Sequence, residues 1–213
     1  AVATTFSVAD LAAGKVTFVH DGSNTTAASF AVTVEDDNED GSSPTASTFN
    51  FTVSPVNDAP TLFTIGGTMS FNEGGAAASP FTSVTISADE TGDSITELKL
   101  TVSGIADGAD EQLTIDGTAV SLVAGSGTTT NGHGYTVTVD SGVATVTLTL
   151  APGTTPATAE TLVSGITYAD LSQVPTDGPR TIKLTEIQDN GGRADGGFDT
   201  TALSFASRVV VHG

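Results

Sequence analysis

Apolar and polar residues alternate along most of the chain, in short runs rich in Thr and Val. A period of two places every second side chain on the same face of a strand, so each run predicts a β-strand with one buried face. Gly, Asn, Asp and Pro separate the runs at short intervals, which is typical of an antiparallel β-sandwich. The predicted strands are residues 15–20, 29–34, 48–53, 83–88, 97–104, 112–116, 134–140, 143–150, 165–170, 180–187 and 203–211.

Helical patterns are confined to two short segments, residues 7–14 and 156–165. Each begins with a residue suited to a helix cap or first turn and ends on Gly. We therefore predict a single helical turn in each segment and an all-β fold elsewhere.

The length and composition are those of a chain with a packed core. With 213 residues, of which 38% are hydrophobic, the chain is long enough for one large domain or two small ones. Several aromatic residues stand within alternating runs, so we predict that they are core residues. They are Phe18, Phe30, Phe49, Phe51 and Tyr168.

The two helical segments belong to an internal repeat. The sequence DLAAGKVTF at 10–18 resembles TLVSGITY at 161–168, with Lys15 as a one-residue insertion. Each copy continues through a polar loop into a strand that ends at Asp-Asn, then through a Gly-containing loop into a last strand rich in Phe and Val. The copies are about 150 residues apart, which is also the length of the interval from Pro60 to residue 213, so we predict a tandem array of repeats.

This spacing predicts the domain organisation. Residues 61–213 have the length of a complete repeat, residues 57–60 form a linker, and residues 1–56 correspond to the C-terminal part of another repeat. Such a partial repeat lacks its early strands, so we expect the edge of its sheet to require a covering partner.

Charge and cysteine content exclude several kinds of partner. The chain has 25 Asp and Glu against 6 Lys and Arg, a net charge of −19, so it would repel nucleic acid and attract cations. It has no Cys, hence neither disulfides nor thiolate metal sites. No apolar run is long enough to span a membrane, so we expect no membrane insertion by this segment, and any export signal would lie outside this sequence.

The sequence FTVSPVNDAPTL at 51–62 marks the linker, with an Asn-Asp pair between two prolines. Residues 6–60, which run from FSVADLAAGKVTFVHDGS to STFNFTVSPVNDAP, closely resemble the cadherin-like repeat of the chondroitin-sulfate-proteoglycan type. Residues 162–192 are similar to the ends of repeats in giant bacterial surface adhesins. The VNDAP junction is similar to the calcium-binding linker of true cadherins.

This resemblance implies tandem β-sandwich repeats that are cadherin-like and Ig-like, the first of them incomplete. It also implies a secreted protein of the bacterial cell surface, exported by a type 1 pathway, with calcium stiffening the joints between repeats. The implied partners are neighbouring repeats of the same chain and a host or cell-surface carbohydrate or protein.

Strand parity gives an independent argument for a calcium site. Loops of an antiparallel sandwich alternate between its two poles. The linker and three separate loops, one from the lower pole of the first repeat and two from the upper pole of the second, are therefore expected to converge at the junction. Carboxylate, amide and carbonyl oxygens are the ligands that Ca²⁺ accepts. The predicted ligands are Asp21, Asn57, Asp58, Asp89, Glu90, Asp93, Asp189 and Asn190.

A second tier of acids is assigned by the same parity to neighbouring junctions. Glu73 and Asp170 are expected at the opposite pole of the second repeat, and the acidic loop 35–41, with Asp37, at the preceding junction. An alternative applies to every one of these residues, because Asp and Asn in short loops often bond their own backbone and stabilise turns. The segment GGRADGGFD at 191–199 is interpreted as a hairpin loop.

Catalytic readings have little support in the sequence. The three histidines are scattered and no Gly-x-Ser-x-Gly motif is present, so we predict a protein that is not an enzyme. The favoured function is a calcium-stiffened structural spacer of a large adhesin involved in attachment or biofilm formation. The alternatives are a carbohydrate- or protein-binding module and a noncatalytic appendage of a secreted enzyme. The near absence of Trp and Tyr favours the spacer.

Overall fold

The structure, a computed structural model, describes residues 5–35, 41 and 45–213. Asp37 and most of its acidic loop lie outside these residues. The chain divides into two units, residues 1–55 and 56–213.

The first unit contains one short helix and one β-hairpin. Helix α1 (Val8–Ala12) begins at a capping box in which Ser7 and Asp10 each bond the backbone of the other. Strands β1 (Ala27–Val32) and β2 (Ser47–Thr52) pair antiparallel, with Phe30 opposite Phe49. No residue of this unit is buried among those that the structure describes.

The second unit is built from twelve strands and one helix. Helix α2 (Pro156–Ser164) starts with Pro156 in its first turn after the capping residue Thr155. Two 3-10 turns lie at Gly108–Asp110 and Ala194–Gly196. The strands are β3 (Thr61–Ile65), β4 (Thr68–Asn72), β5 (Thr82–Ser87), β6 (Ile95–Ser103), β7 (Glu111–Ile115), β8 (Thr118–Ser121), β9 (Gly125–Thr128), β10 (Gly134–Asp140), β11 (Val143–Thr149), β12 (Thr167–Asp170), β13 (Gly178–Asp189) and β14 (Thr200–His212).

These strands form one large sheet and two small ones. The large sheet has the order β4-β14-β13-β6-β11-β10-β9, and the others are β12-β7-β8 and β3-β5. The described pairings are antiparallel except that of β14 with β4. Alternation in β6 shows why the strands form: Leu98, Leu100 and Val102 are buried while the residues between them are only partly covered. The large sheet packs its buried face against side chains of the small sheets and of α2.

The all-β prediction is confirmed, and most predicted strands lie within two or three residues of their observed bounds. Residues 15–20 are an exception, because they form no strand in the first unit. Their alternation predicts one exposed and one covered face. A β-strand, however, also needs hydrogen bonds to the backbone of a neighbouring strand, and alternation does not show whether such a strand is present. Helix α2, with nine residues, is longer than the predicted single turn. The alternation did not identify β3, β4, β8 and β9, which are short or contain Gly and Ser in place of apolar residues.

No helix among the described residues has the length and apolar character needed to cross a bilayer.

Candidate metal centre

The linker residue Asn57 is bound to the loop that joins β13 and β14. Its side-chain amide donates hydrogen bonds to Asp189 Oδ1, at 3.0 Å, and to the carbonyl oxygen of Phe198. The backbone N–H of Phe198 donates in return to the Asn57 carbonyl at 2.8 Å. The linker therefore lies directly against the end of β13.

Close packing at this contact requires a glycine. A Cβ atom at Gly191 would lie 1.8 Å from Asn57 Oδ1, far inside van der Waals contact. The absence of a side chain at residue 191 thus lets the Asn57 amide reach Asp189.

The second half of the linker contacts the loop after β5. The backbone N–H of Asp58 donates to Glu90 Oε1 at 3.0 Å. Within that loop Asp89 has a left-handed backbone, with φ of 64°, and its N–H donates to Ser87 Oγ. One carboxylate oxygen from each of Asp58, Asp89 and Glu90 lies within 4.8 Å of the other two.

Three oxygens around the linker are buried without a hydrogen-bond donor. They are Asn57 Oδ1, Glu90 Oε2 and Asp189 Oδ2. All three are acceptors, and a buried acceptor without a donor loses about 1–3 kcal/mol of hydration that nothing replaces. A cation is a natural partner for a buried acceptor of this kind, because it supplies the positive charge that a hydrogen-bond donor would otherwise supply.

Burial and neighbouring negative charge act together on Asp189. Burial is the largest cause that raises the pKa of its carboxyl, and Asp93 and Asp199 add repulsion in the same direction. Hydrogen bonds from Asn57 and the Gly191 N–H oppose the rise without cancelling it. A raised pKa means that the ionised form is held at a cost, which a bound cation would relieve.

The donor set fits a hard divalent cation. Calcium accepts six to eight oxygen ligands at about 2.3–2.6 Å, and carboxylates and amide oxygens are among its usual partners. Asp58, Asp89 and Glu90 bring one carboxylate oxygen each within 4.8 Å of the others. Asn57, which precedes Asp58 in the chain, and Asp189, to which Asn57 bonds, add further acceptors at the linker but are not part of that group. We expect water and backbone carbonyls to complete such a shell.

The remaining predicted ligands have other contacts. Asn190 Oδ1 accepts a hydrogen bond from the Ser94 N–H at 2.7 Å, so the side chain holds two loops together. Asp93 is partly covered and lies close enough to Asp189 to raise its pKa. Asp21, in the first unit, accepts hydrogen bonds from the N–H and hydroxyl of Ser23, the contacts of a turn-stabilising residue. Its role as a ligand stays a prediction.

The second-tier residues Glu73 and Asp170 differ in how far they are exposed to solvent. Glu73 is exposed, and its N–H donates to the His212 carbonyl. Asp170 is buried and belongs to a cluster that sequence reasoning missed, with Asp107, Glu111 and Arg180. A signal for the cluster does exist in the sequence: Arg180 has the same strand parity as Ile182 and Leu184, and Glu111 the same parity as Leu113 and Ile115. Charged residues at inward positions predict a buried ion pair.

Arg180 is the centre of this cluster. Its Nε donates to Glu111 Oε2 at 2.9 Å and its Nη2 to Asp107 Oδ2 at 3.1 Å. Burial alone would raise the pKa of Glu111, but hydrogen bonds from Arg180, from two backbone N–H groups and from the Tyr168 hydroxyl outweigh it and lower the pKa. Glu111 is therefore held as a carboxylate inside the protein.

Comparison with known proteins gives one family. A family model described as cadherin-like matches residues 1–65, about a third of the chain. A search of curated proteins found no match. The matched residues include the first unit, the linker and β3, so the resemblance predicted for this stretch is confirmed. Cadherin-like domains are generally extracellular and typically non-catalytic. Residues 1–65 of this all-β chain are thus similar to a cadherin-like domain.

Proposed function

We propose that the chain is a calcium-stiffened structural spacer of a large secreted or cell-surface adhesin that acts in bacterial attachment or biofilm formation. The observation that carries the proposal is that one oxygen each of Asn57, Glu90 and Asp189 is buried without a donor, in the linker and in the two loops that it contacts. The linker lies within the stretch that a cadherin-like family model matches. A spacer needs resistance to bending at its linkers more than it needs a binding cleft.

The stiffening follows from the electrostatics of the linker. Without a cation, the carboxylates of Asp58, Asp89 and Glu90 repel one another within 4.8 Å. Two unit charges about 4 Å apart repel by about 1 kcal/mol in a water-like medium and by more where solvent is partly excluded. A bound calcium ion reverses the sign of this interaction and holds the linker on the second unit.

The same proposal includes the repeat organisation. Residues 1–56 are the C-terminal part of one cadherin-like repeat and residues 61–213 are a complete repeat. In support, α1, β1 and β2 correspond in order to α2, β13 and β14. Phe18, the counterpart of Tyr168 in the internal repeat, is 46% exposed, whereas Tyr168 is fully buried. The aromatic position that is part of the core in the second unit is therefore exposed at the surface of the first unit.

Thermal unfolding of the chain with and without calcium tests the proposal. Calcium at ten times its dissociation constant should stabilise the second unit by about 1.4 kcal/mol through mass action. Asp58→Ala should remove most of this calcium-dependent shift and leave the calcium-free melting temperature nearly unchanged, because without the ion the carboxylate contributes mainly repulsion. Asp140→Ala, at an exposed acid of the β10–β11 hairpin, is the matched control and should keep the full shift.

The opposite result has a plain meaning. If the wild-type chain melts at the same temperature in calcium and in chelator, the linker is a polar hinge and its acids only stabilise turns. An equal loss of shift in both variants would show that calcium acts through the net charge of the chain rather than through a site.

A further inference from the structure

A second cluster of buried acids lies away from the linker centre, where three separate segments of the second unit meet. Asp107 follows β6, Glu111 begins β7, and Asp170 ends β12 directly opposite Glu111 in the antiparallel pair. One carboxylate oxygen of each lies within 4.8 Å of the other two. The side chains of Glu111 and Asp170 are fully buried, and that of Asp107 is 11% exposed.

The charges of this cluster do not balance. When all three carboxyl groups are ionised they face one guanidinium, that of Arg180, and two negative charges are uncompensated. The Tyr168 hydroxyl donates to Glu111 Oε2 at 2.7 Å, but it is neutral and adds no positive charge. Uncompensated buried charge is strongly unfavourable, and one divalent cation would neutralise the excess.

The hydrogen bonds show which oxygens remain open. Glu111 accepts four, from Ala106 N, Asp107 N, Tyr168 Oη and Arg180 Nε, and these fill its acceptor positions. Asp107 accepts three, two of them from Thr176.

Asp170 is different. Its Oδ1 accepts one hydrogen bond from the Ser172 N–H, and its Oδ2 is buried with no donor. Arg180 Nη2 is 3.9 Å from that oxygen, too far for a hydrogen bond. The open acceptor therefore belongs to a fully buried side chain that points into the cluster.

We propose that this cluster binds a hard divalent cation of the size of Ca²⁺, with Asp170 and Asp107 as ligands and Glu111 and Arg180 as the charged wall behind it. Oxygens within 4.8 Å of one another fit a common ion, because two ligands at about 2.4 Å each are at most about 4.8 Å apart. The ion reaches the site from the exposed side of Asp107. The site shares no residue with the linker centre, and neither proposal depends on the other.

Tyrosine-sensitised terbium luminescence tests this site selectively. Tb³⁺ is a hard, oxygen-seeking ion that emits when an excited aromatic ring lies close by, and the chain contains no Trp and only Tyr135 and Tyr168. Since the Tyr168 hydroxyl bonds a member of the cluster, Tb³⁺ bound there should emit under tyrosine excitation, and Ca²⁺ should displace it. Asp170→Asn should reduce the emission at least tenfold.

Three further variants separate the sites. Tyr168→Phe should abolish the sensitised emission while calorimetry still detects ion binding, and Tyr135→Phe should leave the emission intact. Asp58→Ala, which removes a ligand of the linker centre, should also leave it intact. Emission that survives Asp170→Asn but disappears in Asp58→Ala would overturn the proposal by placing the ion at the linker.

A proton is the competing solution to the charge excess. If the wild-type chain gives no sensitised emission at millimolar Tb³⁺ and Asp170→Asn is more stable than wild type at neutral pH, the carboxyls share a proton rather than a metal ion, and the proposal is wrong.

Discussion

At the scale of single residues, the position of the linker depends on the absence of a side chain at Gly191. Gly191 leaves the space that the Asn57 amide fills, and the amide in turn bonds Asp189. Strand parity predicts that the linker lies near the loops after β5 and β13, because parity decides at which pole a loop lies, and Asn57 and Asp58 do contact those two loops. The sequence did not predict that Asn57 would contact Asp189 through the space beside Gly191, because a glycine in a loop is usually interpreted as a turn residue.

Gly191→Ala tests this arrangement. A Cβ atom would lie 1.8 Å from Asn57 Oδ1, so the linker must move, and we expect a loss of about 1–3 kcal/mol of stability, as for other overpacked sites. The calcium-dependent shift in melting temperature should fall as well. Gly67→Ala is the control, because no atom lies within 4 Å of its added Cβ. Equal behaviour of the two variants would show that the Asn57 contact does not position the linker.

The loop between β13 and β14, which the linker contacts, contains a hydrogen bond that is lost when its acceptor carboxylate is protonated. Arg193 Nε donates to Asp199 Oδ1 at 2.6 Å. With Thr200 and Gln188 as further donors, this bond lowers the pKa of Asp199 from 3.8 to about 2. A lowered pKa in the folded state contributes stability that is fully present above 3.8 and is lost as the pH falls through about 2.

We therefore expect Asp199→Asn to be less stable than wild type at neutral pH, with a difference that disappears in acid. The measurement is urea denaturation in chelator across this pH range. Arg193→Gln removes the main donor and should follow the same course. A difference that stays constant down to pH of about 2 would rule out the Arg193–Asp199 bond as its cause.

At the scale of elements, β13 shows what alternation predicts and what it omits. Its inward positions include Ile182, Leu184 and Ile187, with a bulge between Leu184 and Glu186 that shifts the parity by one residue. Pattern reasoning found the strand because these residues dominate it. It missed Arg180 as a core residue because an arginine at a strand end is usually exposed, and only the buried carboxylates of Asp107 and Glu111 explain its position.

Arg180→Met should be among the most destabilising single substitutions in the second unit. Methionine keeps the apolar bulk but leaves the carboxylates without their guanidinium, and breaking a buried ion pair from one side costs about 3–5 kcal/mol. Arg208→Met, at an exposed position of β14, should change stability by less than about 0.5 kcal/mol. Chemical denaturation of both variants gives the comparison, and a small loss for Arg180→Met would mean that the acids take up protons readily.

At the scale of the whole molecule, the two units differ in what they bury. The second unit has a continuous core from β3 to β14. Among the described residues of the first unit none is buried, and its aromatic rings stack on one another instead. The ring centroids of Phe18 and Phe51 are 4.7 Å apart, and those of Phe30 and Phe49 are 5.7 Å apart. The sequence predicted these rings as core because alternation indicates which face is apolar. Alternation does not indicate whether the strands that would cover that face are present.

The last prediction concerns those covering strands. In the second unit, β13 pairs with β6 and β14 pairs with β4. Under the proposed repeat correspondence, β1 corresponds to β13 and β2 to β14, so each has an edge that could pair with the equivalent of β6 or β4. A two-stranded hairpin alone is only marginally stable in water, so in the chain of 213 residues the amides of β1 and β2 should exchange with solvent much faster than those of β6 and β13.

Placing an additional copy of residues 57–155 before Phe6 would supply the equivalents of β3 to β11 in the order that the second unit uses. Hydrogen exchange of β1 and β2 should then slow toward that of β13 and β14, because the Phe18, Phe30 and Phe49 rings become buried. Replacing Phe30 and Phe49 by Ser in the extended chain should reverse the protection, whereas the same replacement in the original chain should change little, since Phe49 is already 59% exposed. Unchanged, rapid exchange of β1 and β2 in the extended chain would show that residues 1–56 are not the C-terminal part of a repeat like the second unit.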